Sequence, residues 1–222
     1  LVWADLGETA KPSDTSLLAT LAQYPSLLRS QRFWGYSLTA AFGSGAFFAY
    51  LGGAPYVGTE VFALSSSRVG MLFALTAVGY AAGNFLAGRL SVRVGMNRMM
   101  LWGSVTTTLG LGGLALLTVA GLSGPVTFFA FTLALGMGNG VSLPNANAGI
   151  ISARPNLAGS ASGLGGALTI GGGAALAALS GHLLGPGSSE MPLVLLMLAS
   201  SLASVISSLW VIRRARELGL QA

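Results

Sequence analysis

Cysteine is absent from the 222 residues of this chain, and only 8% of them are charged. The missing thiols exclude disulfide bonds and thiolate chemistry. A soluble domain carries about 25% charged residues. Water would not keep so little charge in solution beside 53% hydrophobic residues. The sequence therefore predicts an integral membrane protein.

Groups that hold metal ions or perform catalysis are equally scarce. The sequence has one histidine, His182, and six acidic residues that are spread along the chain. No set of metal ligands follows from these residues. Serines are frequent, but no base is placed near one as a nucleophile requires. We therefore expect a protein that is not an enzyme and that needs neither a metal nor a cofactor.

The net charge of +5 does not indicate nucleic-acid binding. The basic residues lie between apolar runs and form no basic face. The glycines at positions 136, 138 and 140 weakly resemble a dinucleotide-binding loop. That loop must follow a strand and open a helix, whereas these glycines lie inside an apolar run. Neither nucleic acid nor a nucleotide is an expected partner.

What the chain has in abundance is long apolar runs. The hydrocarbon core of a bilayer needs about 20 residues of helix. Six runs of this length contain no Asp, Glu, Lys or Arg, and a charge at a helix centre costs about 2.5–3.5 kcal/mol on insertion scales. The predicted fold is therefore an all-α membrane protein whose six spans are residues 33–54, 69–88, 99–120, 126–148, 157–184 and 192–212.

The segments outside the spans are polar. Residues 1–32 are interpreted as the end of a preceding helix plus a loop, in which a short helix ends at Pro25. Residues 213–222 form a tail. Because the chain starts with leucine and no leader precedes the first span, we expect it to begin inside a longer precursor or a trimmed chain.

The distribution of basic residues predicts the orientation in the membrane. Of the 11 lysines and arginines, only Arg68 falls on the second side of the six-span order. The positive-inside rule makes the richer side cytoplasmic. Both termini and the loop in residues 1–32 are then cytoplasmic. The preference for arginine over lysine is typical of a GC-rich bacterial genome, so the expected location is a bacterial inner (cell) membrane.

Four asparagines are the strongest polar groups inside the spans. An amide in lipid must face protein or a water-filled cavity. Asn84, Asn145 and Asn147 lie near the cytoplasmic ends, where hydrogen bonds between helices are the favoured interpretation. Asn139 lies nearer the middle of the membrane, where a substrate contact is an equal alternative. Pro144 removes a backbone hydrogen bond and is predicted to be a hinge.

Small and aromatic residues recur at helical spacing. Pairs such as Gly79 with Gly83 and Gly159 with Gly163 favour close packing of helices. Helix faces made of such small residues also allow the helices to rock or bend, as alternating access requires. Aromatic residues of the first two spans form either a lipid-facing surface or an apolar pocket wall. The members considered for this wall are Phe42, Phe47, Phe48, Tyr50 and Tyr80.

Several stretches resemble a known family. FFAYLGGAPYV at residues 47–57, LPNANAG at 143–149 and AGSASGL at 158–164 resemble segments of helices 7, 10 and 11 in the major facilitator superfamily, and more narrowly in the Bcr/CflA group of drug:proton antiporters. Glu8-Thr9 resembles the end of helix 6 in that group. Gly88, Arg89, Arg93 and Gly95 resemble the cytoplasmic loop motif of the superfamily, which has an aspartate where this chain has Val92.

The resemblance implies that the six spans are helices 7–12, one half of a major facilitator fold. Helices 7, 8, 10 and 11 would line a central cavity. This adds Met137 to the candidates and strengthens Phe47 and Asn139. The expected substrate-binding residues are Phe47, Tyr50, Tyr80, Met137 and Asn139.

The function implied is export of small amphipathic compounds or drugs by alternating access. Coupling to protons needs a titratable group within the membrane, and the six spans hold no carboxylate. The coupling group would therefore lie in an N-terminal six-helix half. One alternative is a self-contained half-transporter that acts with a second copy of itself. Another is a membrane scaffold that transports nothing.

Overall fold

The computed structural model describes residues 24–219, and the predictions for residues 1–23 lie outside this part. The first described element is the short helix α1, which contains Pro25. The helix predicted to end at this proline lies almost wholly outside the described residues. Six long helices follow. The elements are α1 (Tyr24–Leu28), α2 (Gln31–Tyr56), α3 (Ser66–Val94), α4 (Met96–Val119), α5 (Pro125–Ala153), α6 (Ala158–Leu183) and α7 (Met191–Glu217).

Local sequence accounts for several helix ends. The hydroxyl oxygen of Ser30 accepts a hydrogen bond from the Phe33 amide at 3.3 Å and caps α2. Pro125 begins α5, where its missing N–H leaves no helical hydrogen bond unmade. Gly95 has a φ of 93° and makes the turn between α3 and α4 alone. A side chain at this φ would be strained, so glycine permits the shortest connection in the bundle.

The helices run up and down between two ends. At one end, the Tyr36 hydroxyl near the start of α2 donates to Asn97 Oδ1 near the start of α4 at 2.9 Å. At the other end, the Tyr56 hydroxyl donates to the Gly185 carbonyl oxygen at 2.5 Å. Every described arginine except Arg68 lies at the first end, which we call the arginine-rich end.

Two central helices organise the packing. Helix α2 packs mainly against α6 and α7, and α5 packs mainly against α3 and α4. Contacts of α2 with α5, and of α4 with α7, join the two groups. One apolar cluster surrounds Tyr50, Phe128 and Phe129, and a second surrounds Phe33 and Tyr36 at the arginine-rich end.

Glycines set the distance between α3 and α5. Gly79 and Gly83 of α3 face Gly136 and Gly140 of α5 so closely that a Cβ at any of these positions would overlap the backbone of the other helix. This confirms the close packing predicted for Gly79 and Gly83. Gly159 and Gly163 on α6 differ, because no described atom lies within 4 Å of a Cβ built at Gly163.

Each predicted span overlaps one long helix. Helices α2, α3, α5 and α7 extend beyond their spans at both ends, whereas α6 is one residue shorter than its span at each end. Five of them are long and apolar enough to cross a membrane, namely α3, α4, α5, α6 and α7. Helix α2 is not among these five. Its 26 residues include glycines, serines and tyrosines that lower its hydropathy, although residues 33–54 carry no charge.

The predicted loop motif is mostly helical. Gly88, Arg89 and Arg93 lie in the last turns of α3, and only Gly95 lies in a turn. No proline or second glycine interrupts residues 89–94, so the helix continues. The guanidinium carbon of Arg89 lies 4.3 Å from the centroid of the Phe85 ring. This stacking holds one of the motif's arginines against its own helix.

The other end of α2 is also extended. Pro55 lies inside the helix, and the chain continues through a turn of π-helix, Val57–Val61. The wider turn is closed by the Phe62 amide, which donates to the Val57 carbonyl at 3.0 Å. Helix α5 likewise runs unbroken through Pro144, whose exposed ring faces away from the bundle. The role of Pro144 as a hinge stays a prediction.

Candidate functional site: an aromatic pocket between α2 and α3

Aromatic side chains from α2 and α3 enclose a pocket of about 420 Å³. Phe47, Tyr50 and Tyr80, three of the five predicted substrate-binding residues, line it together. Small residues of α3 leave the space open between the rings. We call this cavity the aromatic pocket, and its full lining is Phe47, Tyr50, Leu51, Gly70, Phe73, Ala74, Thr76, Ala77 and Tyr80.

The rings stack around Tyr50, which is fully buried. Its ring centroid lies 4.7 Å from that of Phe73 and 6.4 Å from that of Phe47. The centroid of Phe129, on α5, lies 6.5 Å away at a steep angle. Such aromatic pairs contribute about 0.5–1.5 kcal/mol beyond their buried area. The inner wall of the pocket is therefore held firmly, whereas Tyr80 on the outer wall is 41% exposed.

Polar atoms lie behind this aromatic wall. The hydroxyls of Thr76 and Thr132 are 2.7 Å apart, and the Thr132 hydroxyl also donates to the Phe129 carbonyl at 2.7 Å. The Tyr50 hydroxyl lies beside this pair. It is buried and makes no hydrogen bond of good geometry. A buried hydroxyl without a partner is costly, and the Thr76 and Thr132 hydroxyls are the polar groups nearest to it.

The structure does not bring Met137 and Asn139 to the aromatic pocket. Met137 is half-buried on the face of α5 that packs against Gly79 and Gly83. Asn139 lies on another face of α5, where its Oδ1 atom is directed at Gly43 of α2. It is 2% exposed, and its Nδ2 atom has no hydrogen-bond partner among the described residues.

Asn139 borders a cluster of buried hydroxyl groups. The Ser104 hydroxyl lies 3.2 Å from that of Ser142, 3.1 Å from that of Ser204 and 3.4 Å from that of Ser208. The Ser204 hydroxyl donates to the Thr39 carbonyl at 3.0 Å. We call these five residues the hydroxyl cluster, which ties α2, α4, α5 and α7 together inside the bundle.

Asn84, Asn145 and Asn147 are predicted to bond between helices, but none of them does so among the described residues. The side-chain amide of Asn84 donates to the Tyr80 carbonyl at 2.9 Å, and that of Asn145 donates to the Val141 carbonyl at 2.8 Å. Both acceptors lie one turn back on the same helix, which is always within reach of a short side chain. Asn147 is exposed.

Phe73 is the main pocket residue that the sequence interpretation missed. It lies seven residues before Tyr80, and Ala77 lies between them at helical spacing. Residues at these intervals share one face of a helix. The helical spacing of Phe73, Ala77 and Tyr80 in the sequence could have predicted that Phe73 lies beside Tyr80.

The pocket lies beside surfaces that the bundle does not cover. Within the most apolar window of each helix, 22% of α3 and 11% of the segment that contains α6 are buried, against 56% of α5. The exposed face of α6 includes Gly159, Gly163 and Gly171, where a Cβ would meet no described atom within 4 Å. Among the described residues, no group of three His, Cys, Asp or Glu side chains forms a metal site.

Five apolar helices around buried glycine contacts define a helical integral membrane protein. Comparison with known families then identifies the family of membrane proteins. The model of the Major Facilitator Superfamily matches residues 2–178, and the chain belongs to this superfamily. Proteins of this superfamily are membrane transporters of small molecules.

A curated relative is similar over part of the chain. It is described as an uncharacterized MFS-type transporter YdgK of Bacillus subtilis (strain 168), and it is 27% identical over 117 residues. This match covers 50% of the chain and 29% of the relative. The matched part of the chain thus corresponds to less than a third of that protein's length.

Proposed function

We propose that the chain is the C-terminal half of a secondary transporter that exports small amphipathic compounds by alternating access. In this proposal, α2–α7 are helices 7–12 of the fold, and the aromatic pocket is part of the wall of the substrate cavity. The observation that carries the proposal is the pocket itself, in which Phe47, Tyr50 and Tyr80 meet beside an uncovered face of α3. Its narrower relationship would be to the Bcr/CflA group of drug:proton antiporters.

The chemistry of the pocket supports an amphipathic substrate. Its lining is mostly apolar and aromatic, and Thr76, Tyr50 and Tyr80 are the lining residues that carry a hydroxyl group. Aromatic faces attract organic cations as well as apolar rings. Such a wall discriminates by size and shape more than by hydrogen bonds, which fits export of compounds of loosely defined structure.

The uncovered faces of α3 and α6 support a partner of six further helices. Exposed glycines on α6 allow another helix to approach closely, as small residues do in membranes. We propose the N-terminal half of the same transporter as this partner. The alternative is a second copy of the chain. A Gly163→Cys variant distinguishes the two, because the chain has no cysteine of its own: rapid disulfide dimers between copies would support the second copy and contradict the first.

Proton coupling would reside outside the six helices. The described carboxylates Glu60, Glu190 and Glu217 lie at or beyond helix ends. His182 is exposed in the last turn of α6. We therefore propose that the coupling carboxylate lies in the N-terminal half, in a multi-pass protein of a bacterial inner membrane with both termini of this chain in the cytoplasm. Proton-driven flux by the chain alone, unaffected by His182→Ala, would contradict this assignment.

The test of the proposed function is efflux of a fluorescent amphipathic dye, such as ethidium, from cells that express the full-length protein. Phe47→Ala and Tyr80→Ala remove two walls of the pocket, and we expect each to reduce the efflux rate at least several-fold. Trp102→Ala is the matched control, because Trp102 is also a large aromatic residue, is 54% exposed and lies on α4 outside the pocket.

Protein levels in the membrane must be equal among the variants. Efflux that persists in Phe47→Ala and Tyr80→Ala, or that falls equally in Trp102→Ala, would remove the aromatic pocket from the transport path. Absence of transport and of binding for any amphipathic compound by the full-length protein would favour the scaffold alternative.

A further inference from the structure

Four arginines from three separate segments of the chain surround one pocket at the arginine-rich end. Arg29 and Arg32 flank the start of α2, Arg154 lies in the turn between α5 and α6, and Arg214 lies near the end of α7. The pocket has a volume of about 300 Å³, and no carboxylate is among its described lining residues. We call it the arginine pocket.

Nearby groups do not balance this charge. Glu217 is the one described carboxylate in contact with a member, and its Oε2 atom lies 2.9 Å from Arg214 Nη1. Its Oε1 atom also pairs with Arg213 at 3.2 Å, outside the pocket. One carboxylate is thus shared between two arginines, which leaves Arg29, Arg32 and Arg154 without a described anionic partner. Like charges held together in this way favour a bound anion.

Arg32 has a buried polar atom that no described residue satisfies. Its Nη2 atom lies 3.4 Å from the neutral Ser152 hydroxyl, and its guanidinium carbon lies 5.9 Å from the centroid of the Tyr36 ring. Its Nε atom is buried and has no hydrogen-bond partner among the described residues. These contacts orient the side chain but do not neutralise it.

The backbone adds to the positive potential. The arginine pocket lies at the N-terminus of α2, a helix of 26 residues with Ser30 as its cap. The first amide groups of a helix have no partner within it, and the helix dipole places partial positive charge there. Anions bind readily at such ends when side chains assist.

We propose that the arginine pocket binds a phosphate-type oxyanion. The guanidinium group matches phosphate oxygens with two parallel hydrogen bonds, and several such groups around one cavity can contact different oxygens of one anion. Two sources supply this chemistry at a membrane surface: the headgroup of an anionic phospholipid and free inorganic phosphate. Either ligand would tie the start of α2 to the α5–α6 turn and the end of α7. The inference does not depend on the transported substrate.

The test measures thermal unfolding of the delipidated, detergent-solubilised full-length protein. One arm adds inorganic phosphate at constant ionic strength against chloride. The other adds phosphatidylglycerol, with phosphatidylcholine as the neutral lipid. We expect phosphate or phosphatidylglycerol, but not phosphatidylcholine, to raise the unfolding midpoint in a saturable manner. A rise with free phosphate assigns the site to the free anion, and a rise with phosphatidylglycerol alone assigns it to the lipid headgroup.

The variant is Arg29→Gln with Arg154→Gln, because both side chains are exposed and outside the packed core. We expect the half-saturating ligand concentration to increase at least tenfold in this variant. Arg93→Gln is the control, since Arg93 is also exposed at the arginine-rich end but does not line the pocket. An equal response in the double variant and the control, or no ligand-dependent shift in the wild type, would overturn the proposal.

Discussion

The contact between α3 and α5 allows a prediction with a worked magnitude. In Gly140→Ala, the new Cβ would overlap the Tyr80 carbonyl oxygen and lie 2.8 Å from the Asn84 amide nitrogen. Both atoms belong to the backbone, so no side-chain rotation relieves the overlap, and the two helices must separate. Overpacking of this kind costs about 1–3 kcal/mol and occasionally more.

The overlap competes with a gain in helix propensity. Alanine is more favourable than glycine inside a helix by up to about 1 kcal/mol. Gly163→Ala isolates this gain, because its Cβ would meet no described atom within 4 Å. A destabilisation of 1 kcal/mol lowers the unfolding midpoint by about 2–4 °C in a domain of this size. We therefore expect Gly163→Ala to leave the midpoint unchanged or slightly raised, and Gly140→Ala to unfold roughly 2–12 °C below Gly163→Ala.

The assay is thermal unfolding in detergent, followed by tryptophan fluorescence, with all proteins at one concentration and in one detergent. The difference between the two variants is the decisive quantity, because propensity cancels in it. Equal midpoints for Gly140→Ala and Gly163→Ala would refute the conclusion that glycine sets the distance between α3 and α5.

Three further predictions concern buried polar groups. Asn139→Leu should leave the unfolding midpoint unchanged or raised, because the buried Nδ2 atom has no described partner to lose; a fall of more than a few degrees would show that the amide is satisfied. Ser204→Ala removes the hydrogen bonds to the Thr39 carbonyl and the Ser104 hydroxyl, and at about 0.6 kcal/mol for each bond in a membrane it should cost about 1 kcal/mol. Tyr36→Phe should reduce the free energy of unfolding by about 1–3 kcal/mol, because Asn97 Oδ1 is then left unpaired in a buried site. Chemical denaturation of each variant measures these differences. A Tyr36→Phe protein as stable as the wild type would contradict the prediction for Tyr36.

The sequence predicts the helices well because their signal is local. Long uncharged runs and the spacing of Gly79 and Gly83 depend only on nearby residues, and the structure has helices over these runs and a close contact at these glycines. Helix ends are harder to predict. The loop motif of residues 88–95 continues α3 because no breaker interrupts it before Gly95.

The site depends on which way each helix face points, and this requires the whole bundle. Met137 and Asn139 are two residues apart on α5, so their side chains diverge by about 200° around the helix. One cavity could therefore not receive both side chains. In the structure, Met137 lies on the face of α5 that packs against α3, and Asn139 lies on the face near Gly43 of α2. Phe47 and Tyr50 are three residues apart and share a face, which is why both line the aromatic pocket. The arginine pocket joins three segments that are at least 60 residues apart, so no local pattern in the sequence indicates it.

The packing of α2 has a consequence for biosynthesis. This helix is not among the five that are apolar enough to cross a membrane by composition, and its main partners, α6 and α7, are the last long helices of the described chain to leave the ribosome. During translation α2 would therefore insert weakly into the membrane. Its contacts with α7, such as the hydrogen bond from Ser204 to the Thr39 carbonyl, form only after α7 has been synthesised. Because α2 is the first long helix and packs mainly against the last two, assembly of the bundle requires α2 to stay in the membrane until α7 has been inserted.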